Sequence, residues 1–275
     1  MTRTPHHLRT RSPLLTRAAL ALLLLTTAAA CGGDDDHSGS SSPTIGREGL
    51  FTSAVTEVVF EVDYQTGAAP YTTYPLRPGN PWSLFETNLS ALFERTGATV
   101  TSPRELSEMQ DIGDLSDLSA DADFTVDELL GISAAHRQQQ PTTARRTFHV
   151  IFLNGYFTNS EGRQDSVLGV SIGDTGVIAM FKPVIDSTSS ARFVEQTTLI
   201  HEFGHAAGLV NNGIALTSAH HDAEHGAHCT NDRCVMYYLN EGAAGLVSFI
   251  QRYLATGDAV VFGQECLDDI KGAME

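Results

Sequence analysis

His201-Glu202-Phe203-Gly204-His205-Ala206-Ala207-Gly208-Leu209-Val210-Asn211 is the stretch on which the reading of this chain turns. On an α-helix, positions i and i+4 share a face one turn apart, so the imidazoles of His201 and His205 can reach a single ion. Glu202 stands beside them, placed to meet a water on that ion. The apolar residues Phe193, Leu199, Ile200, Phe203, Ala206, Ala207 and Val210 recur at helical spacing, which predicts one long helix over residues 190–210 with its apolar side in the core. Two histidines on a core helix need a polar partner. Zn2+ is the natural one.

Downstream the chain stays rich in metal-binding side chains. Six of its 11 histidines fall between residues 201 and 228, and four of these follow Asn211: His220, His221, His225 and His228. Cys234-Val235-Met236-Tyr237-Tyr238 comes next. This arrangement resembles the catalytic region of the metzincin zinc peptidases, whose signature is HExxHxxGxxH (or D) followed by a Met-turn. Gly208 matches the glycine that turns the chain under the metal. The third ligand position holds Asn211, a departure, because an amide oxygen is a poor zinc ligand. In matrixin-type and archaemetzincin-type peptidases the third histidine stands eight residues before the turn methionine. His228 stands eight before Met236, and His228-Cys229-x4-Cys234-x-Met236 is similar to the archaemetzincin stretch.

The resemblance implies that residues 211–227 are an insertion and that His228 is the third ligand, with His225, His221, His220 and Asp222 as alternatives. It implies Glu202 as general base, Met236 as an apolar floor, and Tyr238 as a donor to the developing oxyanion, with Tyr237 or plain packing as the alternative. Substrate would lie along an edge strand at 167–172. Archaemetzincins also bind a second zinc with four cysteines. This chain matches three, Cys229, Cys234 and Cys266, and a disulfide (Cys229–Cys234 or Cys234–Cys266) is expected in place of that ion outside the cytoplasm. The resemblance covers residues 147–270 and is specific from 201 to 238.

Residues 1–30 are a different material. Arg3, Arg9, Arg11 and Arg17 occur with no acidic residue, an apolar run covers 18–25, and small residues precede Cys31. That pattern predicts a signal peptide, and Cys31 with its flanks resembles the lipobox of bacterial lipoproteins. The resemblance implies lipidation of Cys31 and an exported protein, anchored to a membrane and facing the periplasm or the cell exterior. Residues 31–48 are Gly-, Ser- and Asp-rich and read as a disordered tether. Residues 49–275 read as a single catalytic domain, with 49–146 as its N-terminal part and 147–275 as its metal-binding part.

The full chain carries 17 Lys+Arg against 33 Asp+Glu, a net charge of −16; without the four leader arginines it is −20. Such a surface disfavours nucleic acid. Alternation and β-branched content predict strands at 54–64, 98–102, 148–157, 167–172 and 176–182. Helices are expected at 80–94, 124–139 and from Gly263 onward. The acidic loop 111–127 lacks the spacing of a calcium loop. Strands mixed with helices make the class α+β, which the resemblance narrows to an α/β zincin-like mixed twisted sheet with an active-site helix, a Met-turn and a C-terminal helix. The expected function is a zinc-dependent endopeptidase acting on peptide or protein substrates. The alternative is a non-catalytic zincin-fold lipoprotein that binds zinc or a protein partner.

Overall fold

The computed structural model describes residues 44–274 except Arg77, Ala120 and Asp121. The expected signal peptide, Cys31 and residues 32–43 of the tether lie outside the described residues. In chain order the elements are β1 (Glu57–Tyr64), α1 (Trp82–Phe93), β2 (Thr99–Thr101), β3 (Gln110–Asp111), β4 (Asp123–Phe124), α2 (Val126–His136), β5 (Arg145–Leu153), β6 (Tyr156–Asn159), β7 (Gly162–Gln164), β8 (Gly169–Ile172), β9 (Val177–Phe181), α3 (Lys182–Asp186), α4 (Ala191–Ala206), β10 (His221–Asp222), β11 (His228–Cys229), α5 (Ala243–Thr256) and α6 (Gln264–Ala273).

The main sheet runs β2-β1-β5-β9-β8, with β3 also on β1. Every pairing is parallel except that of β8, the edge strand, which runs antiparallel to β9. The fold is therefore mixed α/β. β5 and β9, in the middle, are almost wholly buried, as strands covered on both faces must be. β1 lies along β5 over its whole length, from Glu57↔Arg145 to Tyr64↔Phe152, so chain from both sides of residue 147 builds one sheet.

Side chains alternate across that sheet, and each face meets a different helix layer. On one face Phe60 stacks on Phe148 at 5.1 Å, and Phe203 of α4 meets both edge-on at 5.1 and 5.0 Å. Phe85 of α1 completes the cluster, 5.0 Å from Phe60. On the other face Asp63 and Ser133 of α2 hold the buried His149 between them, each at 2.9 Å from a ring nitrogen. The aromatic cluster fixes α4 against the sheet, and α4 carries the histidine motif.

Three expectations change in detail. The strand expected at 148–157 breaks at Asn154-Gly155 into β5 and β6, because the chain there presses against the Ala122 carbonyl with no room for a Cβ. The helix expected to reach Val210 stops at Ala206, since Gly208, Val210 and Asn211 all take positive φ (86°, 54° and 61°). Within residues 44–48, read as the end of the tether, two side chains pack on the domain instead. Ile45 is buried, and Arg47 reaches the Ala206 carbonyl and Asn212 at the end of α4. A cation there suits the negative end of the helix dipole. α5 was not anticipated. Among the described residues no helix is long and apolar enough to cross a membrane.

Phe203→Ala is expected to cost about 3–5 kcal/mol, the usual range for emptying an aromatic site in a core. The readout is the urea midpoint at unchanged slope. A loss below about 1 kcal/mol would mean that this cluster does not hold α4 in place.

Candidate functional site

His201 and His205 stand one turn apart on α4, their ring centroids 4.7 Å from each other. The sheet face, α1 and the chain after Met236 all pack on this helix, so His201 is fully buried. Its Nδ1 lies 2.7 Å from the Val235 carbonyl. A carbonyl only accepts, so the ring proton sits on Nδ1 and Nε2 presents a bare lone pair. His228, on β11, repeats the device with its Nδ1 against the His225 carbonyl. Its Nε2 is buried without a hydrogen-bond partner. The His228 ring stacks on His201 at 5.4 Å and stands edge-on to His205 at 4.9 Å.

One ligating atom from each of His201, His205, His228 and Glu241 lies within 4.8 Å of all the others. His205 Nε2 is 3.1 Å from His201 Nε2. Two buried imidazole lone pairs and a carboxylate at their rim, facing one another, repel unless a cation lies among them. Neutral imidazoles held by backbone carbonyls are the usual zinc donors with their usual outer support. These residues fit zinc.

The turn after β11 locks onto the helix. A Cβ at Gly204 would overlap Met236 Sδ, so Met236 packs directly against the bare backbone between the two α4 histidines. Asn240 Nδ2 donates to the Cys234 and Val235 carbonyls at 3.1 and 3.0 Å, and Val235 N–H donates to the Val261 carbonyl. Gly208 makes its turn at φ 86°, and Asn211 is exposed in left-handed backbone.

Glu202 is buried under β8, its Cγ so near Gly169 that a Cβ there would stand 3.0 Å from it. Burial pushes its pKa up to about 8, with the Glu241 charge adding and the Ser171 backbone N–H opposing. Burial pulls His201 down to about 4, His228 nearby adding to the pull. His205 is lowered for the same first reason. Both α4 imidazoles are therefore neutral near pH 7, the form that binds metal.

The other candidates are engaged elsewhere. His225 Nδ1 lies 2.8 Å from Asp222, and its ring stacks on Tyr238 at 3.7 Å. His221 Nε2 meets the Gly226 carbonyl at 2.7 Å. Tyr238 thus lies flat on His225, with Tyr237 against it at 4.9 Å. His220 leaves the group altogether. Its Nε2 lies 2.6 Å from Asp269 and its Nδ1 3.3 Å from Cys229 Sγ. The three cysteines among the described residues are free and buried, and Cys234 Sγ lies 3.5 Å from Cys266 Sγ. No disulfide joins them: Cys229 and Cys266 gather with His220, and Cys234 lies against Cys266. Sequence reasoning missed Glu241 and Asp269. The one available signal for Glu241 was a carboxylate five residues past the turn methionine.

The fold and site together define a mixed α/β protein with a histidine-rich candidate metal centre. No protein-family model matches this chain, and no curated protein matches it in sequence. Among solved structures it is similar to archaemetzincin from Archaeoglobus fulgidus, crystallised in complex with malonate. The TM-score is 0.35 and the identity 15%, over 76% of this chain and 99% of that one.

Removing one ligand should separate the histidines. After dialysis against excess zinc and then buffer, His228→Ala is expected to retain far less zinc than wild type by elemental analysis, whereas His225→Ala and His221→Ala keep it. Zinc lost from His225→Ala and kept by His228→Ala would reverse the assignment.

Proposed function

We propose that the protein is a zinc-dependent endopeptidase, with His201, His205 and His228 holding the ion. The observation that supports this reading best is the convergence of three imidazoles, two with their tautomer set by a backbone carbonyl, beside a buried glutamate on the same helix. When bound, zinc supplies a Lewis acid that polarises a peptide carbonyl and eases the ionisation of water.

The remaining chemistry belongs to the chain. Glu202 takes a proton from the attacking water on one carboxylate oxygen and returns it to the leaving amine. Burial raises its pKa to about 8, and a cation bound beside it would pull the other way, toward the ionised carboxylate that a base needs. The Ser171 N–H fixes its orientation from β8. The free edge of β8 receives the peptide as an added strand. Met236 fills the floor, and Tyr238 acts as oxyanion donor only after leaving its stack on His225. A zinc-binding protein without peptidase action is the second reading, favoured by a fourth potential ligand, Glu241, within the group. We further propose that the chain is exported and lipid-anchored through Cys31, with a strongly acidic surface that does not take nucleic acid.

Glu202→Gln is expected to keep its zinc and lose peptide cleavage by about 10²–10⁴-fold. The assay is a fluorogenic peptide library read before and after chelation and zinc restoration. Zinc-loaded wild type that cleaves no member would sink the peptidase reading. For the anchor, Cys31→Ala expressed in a bacterial host should lose palmitate labelling and pass from the membrane to the soluble fraction. Unchanged labelling would remove Cys31 as the lipidation site.

A further inference from the structure

Glu241 is the one member of the histidine group that the peptidase reading leaves without work. It ends a short 3-10 turn, Tyr238–Glu241, and its Oε1 lies 3.0 Å from His228 Nε2. The two atoms stand at ion-pair distance, and His228 Nε2 has no other partner. With the His228 proton committed to the His225 carbonyl, Nε2 and the carboxylate are two acceptors facing each other. Such a contact holds when both bind one cation, or when the imidazole is doubly protonated and so lost as a ligand.

The next residue adds a second observation. Gly242 makes an isolated antiparallel bridge with Val167, just ahead of β8. One turn therefore sends a carboxylate in among the histidines and lies across the end of the strand edge that a peptide would join. The exposures differ in a way that bears on movement. The His228 side chain is 5% exposed and that of Glu241 is 54%. Glu241 can swing into solvent without opening the core, and the histidines cannot.

We propose that Glu241 is a fourth protein ligand, so that the resting centre is closed by the chain's own carboxylate. A peptide gains the ion by displacing Glu241 and the Val167–Gly242 bridge together. This rests on the zinc reading above, but not on peptide cleavage. Structural zinc sites are closed by four protein ligands and catalytic ones keep a position open. Here the open position is made by moving one residue.

The test uses the metal-stripped full chain as wild type, Glu241→Gln and Glu241→Ala. Zinc affinity is measured by competition with a chromophoric chelator, and the visible spectrum of the cobalt-loaded forms is recorded with and without azide. Urea midpoints of the metal-free forms serve as the folding control. Both variants are expected to bind zinc more weakly by on the order of tenfold or more, and their cobalt spectra should respond to azide where the wild-type spectrum resists it. Equal affinity and equal azide response in all three would overturn the proposal and leave the contact as an imidazolium–carboxylate pair. Wild type that binds no zinc would overturn this inference and the zinc reading together. Zinc-loaded wild type that cleaves nothing, with weakened variants, would keep Glu241 as a ligand and remove only the peptidase.

Discussion

The hydrogen bond from His201 Nδ1 to the Val235 carbonyl, 2.7 Å long, is the contact on which the centre depends. It joins two segments 34 residues apart and makes them one unit. It also chooses which nitrogen of His201 faces inward. The next residue, Met236, seats itself on the bare backbone of Gly204. Helix and turn are thus keyed to each other by a polar contact and an apolar one, side by side. A shift of the turn would misplace the His201 ring and open a gap beneath it. The sheet contributes by holding α4 still through the Phe60, Phe148 and Phe203 cluster.

That design carries an energetic cost that the fold alone does not offset. His201 and Glu202 are polar side chains taken almost wholly out of water, and burial penalises the charged form of each. An ion held by these nitrogens would turn this penalty into binding energy, and binding energy at such a site is folding energy. His220, Cys229 and Cys266, with Cys234 against Cys266, lie on the same turn from the other side, and Asp269 stands behind His220. Residues 220–236 are therefore held at both ends of their run by side-chain chemistry more than by regular secondary structure, which amounts there to two short strands.

How far the sequence could be read follows from what kind of information each feature carries. The α4 pair was legible because its spacing is local and its apolar neighbours repeat every turn. The strands of the sheet were legible because alternation and β-branched runs are local too. His228 was reachable only through its fixed distance from Met236, a relation no periodicity carries. Glu241 left no trace beyond being a carboxylate near a turn, since its approach to His228 is purely tertiary. The same holds for His220, which composition grouped with the other loop histidines and packing assigned to the cysteines. The strand break at Gly155 and the early end of α4 reflect backbone crowding and left-handed turns. The start of α5 was hidden by the glycines and alanines at 242–245.

Arg47 gives the border of the domain a meaning that composition could not. It comes a few residues after a run of glycine, serine and aspartate, yet its guanidinium holds the last carbonyl of α4 and the side chain of Asn212. A protease cutting ahead of Thr44 would leave α4 still capped. A cut two residues beyond Arg47 would remove the cap and free the turn at Gly208. A side chain at the compositional border is thus part of the end of α4, and a cut a few peptide bonds to either side of Arg47 decides whether that helix keeps its cap.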